Sequence, residues 1–211
     1  MPLTAVSVAG SVSVPPAINA LPSPVITLTA PLFSPVPGQS LVDPPLPAWL
    51  AMSGEEQASA SAAQLPADLK LIIPVANVKA EQLLDTYTAA RSEGRVHNAI
   101  DIMAPQGTPV LAAADGKIAR LFNSEKGGIT LYQFSRDQKV IFYYAHLQGY
   151  AEGVEVGRPV RQGETIAYVG DTGNAGPGNY HLHFAVWLVT DPKRYWDGLN
   201  VNPYPILKES R

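Results

Sequence analysis

Ile129-Thr130-Leu131-Tyr132-Gln133-Phe134 and Lys139-Val140-Ile141-Phe142-Tyr143-Tyr144 stand on either side of Ser135-Arg136-Asp137-Gln138. Both flanking runs are rich in β-branched and aromatic residues, which suit a pleated, packed surface, and the four polar residues between them suit a turn. The stretch predicts a β-hairpin. Upstream, Val110-Leu111-Ala112-Ala113 leads to the turn signal Asp115-Gly116, and Lys117-Ile118-Ala119-Arg120-Leu121-Phe122 then alternates polar and apolar residues. Downstream, Thr165 to Val169 and His181 to Val189 read as two more strands, separated by a glycine-rich loop from Gly170 to Gly178. Only Val78 to Leu84 reads as a helix. Short strands joined by Gly-rich turns, with no internal repeat, predict a mainly β fold built on an antiparallel sheet.

That texture begins near Lys70. Residues 1–69 contain no Lys or Arg, only four acids (Asp43, Glu55, Glu56, Asp68) and 12 of the 20 prolines. Prolines at this density remove backbone donors and interrupt helix and central strand alike. The segment therefore reads as a Pro/Ala/Ser-rich, largely unstructured linker or tether, with at best a short helix between Gly54 and Ala63. Ala5 to Val14 is apolar and Ile18-Asn19-Ala20 offers a weak cleavage site. No positive residue precedes that run and Pro15-Pro16 breaks it, so it is a poor export signal. No apolar run approaches the roughly 20 residues that span a bilayer. The expected division is thus a linker over 1–69 and one domain over 70–211.

Composition removes several classes of function. Of the 211 residues, 46% are hydrophobic and 16% charged, and the net charge is −3. A core can be buried, but the basic surplus that neutralises phosphates is missing, which argues against a nucleic-acid binder. The chain has no cysteine. Disulfides, iron–sulfur clusters and thiolate zinc sites are excluded, so any metal must be held by His, Asp or Glu.

All four histidines, at 97, 146, 181 and 183, lie in the C-terminal part. His97 and Asp101 are four apart, a spacing that shares one face in a strand or a helix. Alone, the pair is ordinary: a His–Asp hydrogen bond or two unrelated surface residues would explain it. His181 and His183 are two apart in a strand-like run, so both imidazoles point to one face while Leu182 points to the other. His146 ends the hydrophobic run Tyr143-Tyr144-Ala145, where a lone His is usually a satisfied core or rim residue. Taken together, two His and one carboxylate make a triad that catalytic zinc sites use, with the fourth position left for water. The two remaining imidazoles can then move a proton and orient or stabilise an oxyanion. Spacing leaves His181 and His183 equally eligible as ligand. There is no His-Glu-x-x-His helix and no Gly-x-Ser-x-Gly elbow.

At these residues the sequence resembles the lysostaphin-type, or LytM-domain, zinc metallopeptidases of family M23. The resemblance covers roughly Leu71 to Leu207. It rests on His97-Asn98-Ala99-Ile100-Asp101, Ala104-Pro105-Gln106-Gly107-Thr108-Pro109-Val110, Ala113-Ala114-Asp115-Gly116 and Tyr144-Ala145-His146-Leu147. It continues through Gln162-Gly163-Glu164-Thr165-Ile166-Ala167, Gly170-Asp171-Thr172-Gly173-Asn174, His181-Leu182-His183-Phe184 and Val201-Asn202-Pro203.

The resemblance implies a twisted antiparallel β-sheet core with one Zn2+ held by His97, Asp101 and His183. It also implies His181 as general base, with His146 assisting in binding water or the tetrahedral intermediate. The implied activity is hydrolysis of peptide cross-links or bridges in bacterial peptidoglycan, by a monomer exported to the periplasm or cell envelope. Two other functions go with such domains or such chemistry: metal-free regulation of cell-wall amidases, and zinc-dependent cleavage of secreted proteins. Retention of four His and the Asp speaks against the regulator. Three positions depart from the family pattern: Asn98 where Gly is frequent, Tyr180 where Pro is usual, and Ala185 where Glu is common. Asn98 and Tyr180 are expected to reshape the groove.

Overall fold

The structure, a computed structural model, describes residues 65–66, 69–90, 96–189 and 191–210. The expectations for an export-like start, a Pro-rich linker and a short helix between Gly54 and Ala63 fall outside these residues, except at the linker's last few positions. There, Leu65 and Leu69 pack with the main core.

The described residues form nine strands: β1 (Ile100–Met103), β2 (Pro109–Leu111), β3 (Gly116–Ser124), β4 (Gly128–Ser135), β5 (Val140–Tyr150), β6 (Pro159–Val160), β7 (Thr165–Val169), β8 (His181–Leu188) and β9 (Leu199–Val201). One helical turn, α1 (Tyr204–Lys208), follows. The strands join in one sheet ordered β1-β8-β5-β4-β3-β6, with β7 on β5, β2 on β7 and β9 on β8. Every pairing is antiparallel. The mainly β, antiparallel expectation therefore stands.

The hairpin read first joins β4 to β5. Gln138, with φ of 60°, closes it by donating its N–H to Ser135 O at 3.0 Å. Ser135 Oγ donates to Asp137 Oδ1 at 2.7 Å and accepts the Val140 N–H at 3.0 Å, so the polar tetrapeptide satisfies itself. The expected helix over Val78 to Leu84 is only a 3-10 turn, Ala80–Gln82. At Leu83 the backbone becomes extended and its side chain enters the core at 3% exposure, which ends the turn. The short strands β6 and β9 and the helix α1 carried too few residues to announce themselves by periodicity.

Strand parity sorts the two faces of the sheet. Leu182, Phe184 and Val186 of β8 and Val140, Phe142 and Tyr144 of β5 point into the main core. Ala185 and Trp187 of β8 and Ile141 of β5 point the other way, into a second cluster with Ala99, Tyr132 and Phe134. Within the main core Tyr144 Oη donates to Gln133 Oε1 at 2.7 Å and accepts the Ala113 N–H at 2.9 Å. Gln133 Nε2 donates to Ala114 O at 2.6 Å, which ties the sheet to the turn before β3. Burial pushes the Tyr144 phenol above its usual range, so it remains a donor there.

Near its middle β5 changes partner. Val140 to Ala145 pair with β8, whereas Leu147 to Tyr150 pair with β7. Between them stands His146 with φ of 60°, opposite a register shift in β4 between Ile129 and Leu131. A β-bulge of this kind bends the strand and re-aims the side chain that carries it.

Candidate metal centre

Odd parity places His181 and His183 on the same face of β8 as Ala185 and Trp187, as their period-2 spacing predicted. On β1, Asp101 stands directly opposite His183 in the register. His97 precedes β1 and reaches the same point by a different route. Asn98 takes φ of 54°, so His97 and Asp101 converge through a left-handed kink and not through strand periodicity. That conformation explains the departure at Asn98: among non-glycine residues, Asn is one of the few that adopt it readily. The Asn98 side chain is buried, with the residue 6% exposed.

Three ligand atoms meet. His97 Nε2 lies 2.9 Å from Asp101 Oδ1 and 2.9 Å from His183 Nδ1, and His183 Nδ1 lies 3.2 Å from Asp101 Oδ1. Tetrahedral zinc with bonds of about 2.0–2.1 Å sets its ligand atoms about 3.3 Å apart, so the triangle, with edges of 2.9, 2.9 and 3.2 Å, needs to open by only a few tenths of an ångström to hold such an ion. His181 Nε2 is farther from the same carboxylate oxygen, at 3.7 Å. Among the described residues, His97, Asp101 and His183 are the group whose donor atoms could hold a metal ion.

The hydrogen bonds fix the tautomers. His97 Nδ1 faces Thr86 O at 2.9 Å, a group that can only accept, so Nδ1 carries a proton and the lone pair of the neutral ring sits on Nε2. The same argument applies to His146, whose Nδ1 donates to Thr172 O at 2.8 Å, and to His181, whose Nδ1 donates to Asn179 O at 2.8 Å. In the neutral form of either ring the lone pair then sits on Nε2. The His146 ring packs on His181 at 4.9 Å and on His183 at 5.6 Å between centroids. The bulge at His146 turns this ring to the site, although Tyr144 and Leu147 on either side point into the core.

Electrostatics favours a cation. Burial would raise the Asp101 pKa, but the adjoining His183 and His97 imidazoles outweigh it and hold the carboxyl well below the usual range. Burial, reinforced by neighbouring His183, pushes His146 down to about 4, so its ring is neutral near pH 7. An anionic carboxylate beside imidazole nitrogens is a donor set that zinc accepts.

Sequence reasoning overlooked the groups that orient these rings. Thr86, Thr172 and Asn179 act through main-chain carbonyls, which leave no mark in a residue pattern. Thr172 does more: its Oγ1 donates to Leu147 O at 2.8 Å and accepts the Ile129 N–H at 3.0 Å, clamping the bulge beside His146. Tyr180 packs partly buried against the main core, and Ala185 is buried in the second cluster.

Residues 95–203 match the sequence profile of Peptidase family M23. The chain is 45% identical over 102 residues to the DD-carboxypeptidase/endopeptidase Mpg of Neisseria meningitidis serogroup B, covering 46% of this chain and 21% of that protein. It is 31% identical over 131 residues to the L-Ala--D-Glu endopeptidase of Bacillus subtilis, covering 58% and 38%. The matched part is thus well under half of either relative. Among solved structures, the catalytic domain of the antimicrobial peptidase lysostaphin from Staphylococcus simulans superposes with a TM-score of 0.51 at 28% identity, covering 60% of this chain and 92% of that one.

Proposed function

This chain belongs to peptidase family M23, and from that membership we propose that it is a zinc-dependent endopeptidase acting on peptide cross-links of bacterial peptidoglycan. The observation that carries the reading is the meeting of His97 Nε2, Asp101 Oδ1 and His183 Nδ1 beside two further imidazoles whose Nδ1 atoms are held by main-chain carbonyls. The relatives named above are by name a DD-carboxypeptidase/endopeptidase and an L-Ala--D-Glu endopeptidase, and bonds that involve D-amino acids support the substrate class.

His97, Asp101 and His183 are the proposed ligands of one zinc per chain. Zinc in such a site polarises a scissile carbonyl and lowers the pKa of water to about 7. The rest falls to the protein. His181, its Nδ1 held by Asn179 O, takes the proton of the attacking water on Nε2. Asp101 Oδ1 at 3.7 Å favours the imidazolium that forms, and the same nitrogen returns the proton to the leaving amine. His146 Nε2 accepts a second hydrogen from that water and so aims its lone pair at the carbonyl carbon.

On this reading the protein works outside the cytoplasmic membrane, in the periplasm or cell envelope, as a monomer. Segment 1–69 is a linker or tether ahead of the domain 70–211, its last residues, Leu65 and Leu69, joining the core. Among the described residues no helix is long and apolar enough to cross a membrane.

The test is zinc content together with muropeptide profiles of purified sacculi before and after treatment. Wild-type protein should hold one zinc and open cross-links, and His183→Ala should lose both. A metal-free, inert protein that instead stimulates an amidase would overturn the reading.

A further inference from the structure

We infer that Thr86 is a positioning residue for the metal centre, setting two of the three ligands through two different oxygens. This inference rests on the zinc reading above. The chain from 86 to 90 runs alongside 96 to 101, joined by a bridge between Ala90 and Val96. The His97 N–H donates to Ala89 O at 3.0 Å, and the Asn98 N–H donates to Tyr87 O at 2.9 Å. At Asp101 a side chain takes over: its N–H donates to Thr86 Oγ1 at 3.0 Å. The Thr86 carbonyl, meanwhile, accepts His97 Nδ1–H at 2.9 Å. One residue thereby fixes the tautomer and ring plane of His97 and the backbone position from which the Asp101 carboxylate reaches the ion.

Thr suits both tasks. Its hydroxyl reaches a main-chain donor that a carbonyl at this kink does not meet, and β-branching stiffens its χ1. The turn that presents it is braced from both sides. Tyr87 is buried in the core at 4% exposure. Asp85 Oδ1 accepts the Tyr87 N–H at 3.1 Å, and the Asp85 carboxylate also accepts Asn202 Nδ2 at 3.3 Å. Asn202, from the closing Val201-Asn202-Pro203 motif, thus supports the turn behind His97.

The experiment compares zinc affinity, by chelator competition, and the visible spectrum of the Co2+-loaded protein in wild type, Thr86→Val and Thr86→Ser. Melting of the metal-free forms is followed in parallel. Loss of an outer partner typically weakens metal affinity by about 10–100-fold. Thr86→Val should fall in that range with an altered Co2+ spectrum, and Thr86→Ser, which keeps the hydroxyl, should restore both. A purely structural role would lower the melting temperature of metal-free Thr86→Val and leave the affinity of its folded fraction unchanged; that result overturns the inference. Thr86→Ala carries the same prediction if Thr86→Val does not fold. Wild-type protein that binds no zinc would sink the metal reading itself, whereas normal binding in wild type and in the hydroxyl-free variant would sink only the role of Thr86.

Discussion

Asp101 and His183 are cross-strand partners on β1 and β8, and Asp101 Oδ1 lies 3.2 Å from His183 Nδ1. On the proposed reading, a carboxylate so placed supplies both a ligand atom and a negative charge to the zinc site. Asp101→Asn keeps the shape and removes the charge. It should cut zinc affinity by at least about 100-fold, beyond what loss of an outer partner costs. Equilibrium dialysis against zinc checks this, with circular dichroism to verify that the sheet remains.

The two imidazoles outside the triangle should separate binding from catalysis. His181→Ala is expected to retain zinc while kcat falls by about 10²–10⁴, the range for losing a general base. A fall in KM-dependent binding with kcat intact would count against the role given to His181. His146→Asn should behave similarly but more mildly, because it acts on the orientation of water.

His146 also makes a pH prediction for the metal-free protein. Its folded-state pKa, pushed to about 4 by burial and by His183, lies below the ordinary 6.5. Between these values the unfolded chain binds a proton that the folded chain refuses. Stability should therefore fall as pH drops below 6.5 and level off near 4, by about 3 kcal/mol from this group. Urea midpoints at several pH values, compared between wild type and His146→Asn, test it: the variant should show the shallower loss.

Gly173 and Gly128 approach each other so closely that a Cβ on Gly173, at φ of 70°, would lie 2.3 Å from the Gly128 nitrogen. Gly173→Ala should cost about 2 kcal/mol or more, by steric strain at a special backbone position. Because Thr172 is next in the chain and holds His146, kcat should fall further than zinc affinity does. Thermal melts and zinc titrations of the same preparation compare the two losses.

Tyr144→Phe probes the core instead of the site. It strips the partner from Gln133 Oε1 and the Ala113 N–H, both buried, and should destabilise by about 1–3 kcal/mol. Zinc stoichiometry should remain at the wild-type value.

Much of this arrangement was legible in the chain because it depends on period-2 alternation. His181 and His183 sharing a face follows from that rule, while the hairpin around Ser135 to Gln138 and the strand Thr165–Val169 follow from apolar, β-branched and aromatic runs between turns. The convergence of His97 with Asp101 does not, since a left-handed residue at Asn98 breaks the period between them. Nor could alternation place His146. Parity would send it into the core between Tyr144 and Leu147, and only a bulge, set by the opposite strand and by Thr172, turns it out. Carbonyl partners such as Thr86 O and Asn179 O belong to the backbone, which every residue possesses, and so carry no compositional signal.

The change of partner within β5 has a consequence for how such a site can vary. The proposed ligands hang from β1, β8 and the arm leading into β1, but His146 sits at the joint where β5 departs from β8 toward β7. Metal retention and water orientation thus depend on separate sets of neighbours. Substitutions in β7 or in the Gly170–Gly178 loop can retune the hydrolytic step while the ion stays bound, leaving turnover free to diverge on a fixed metal scaffold.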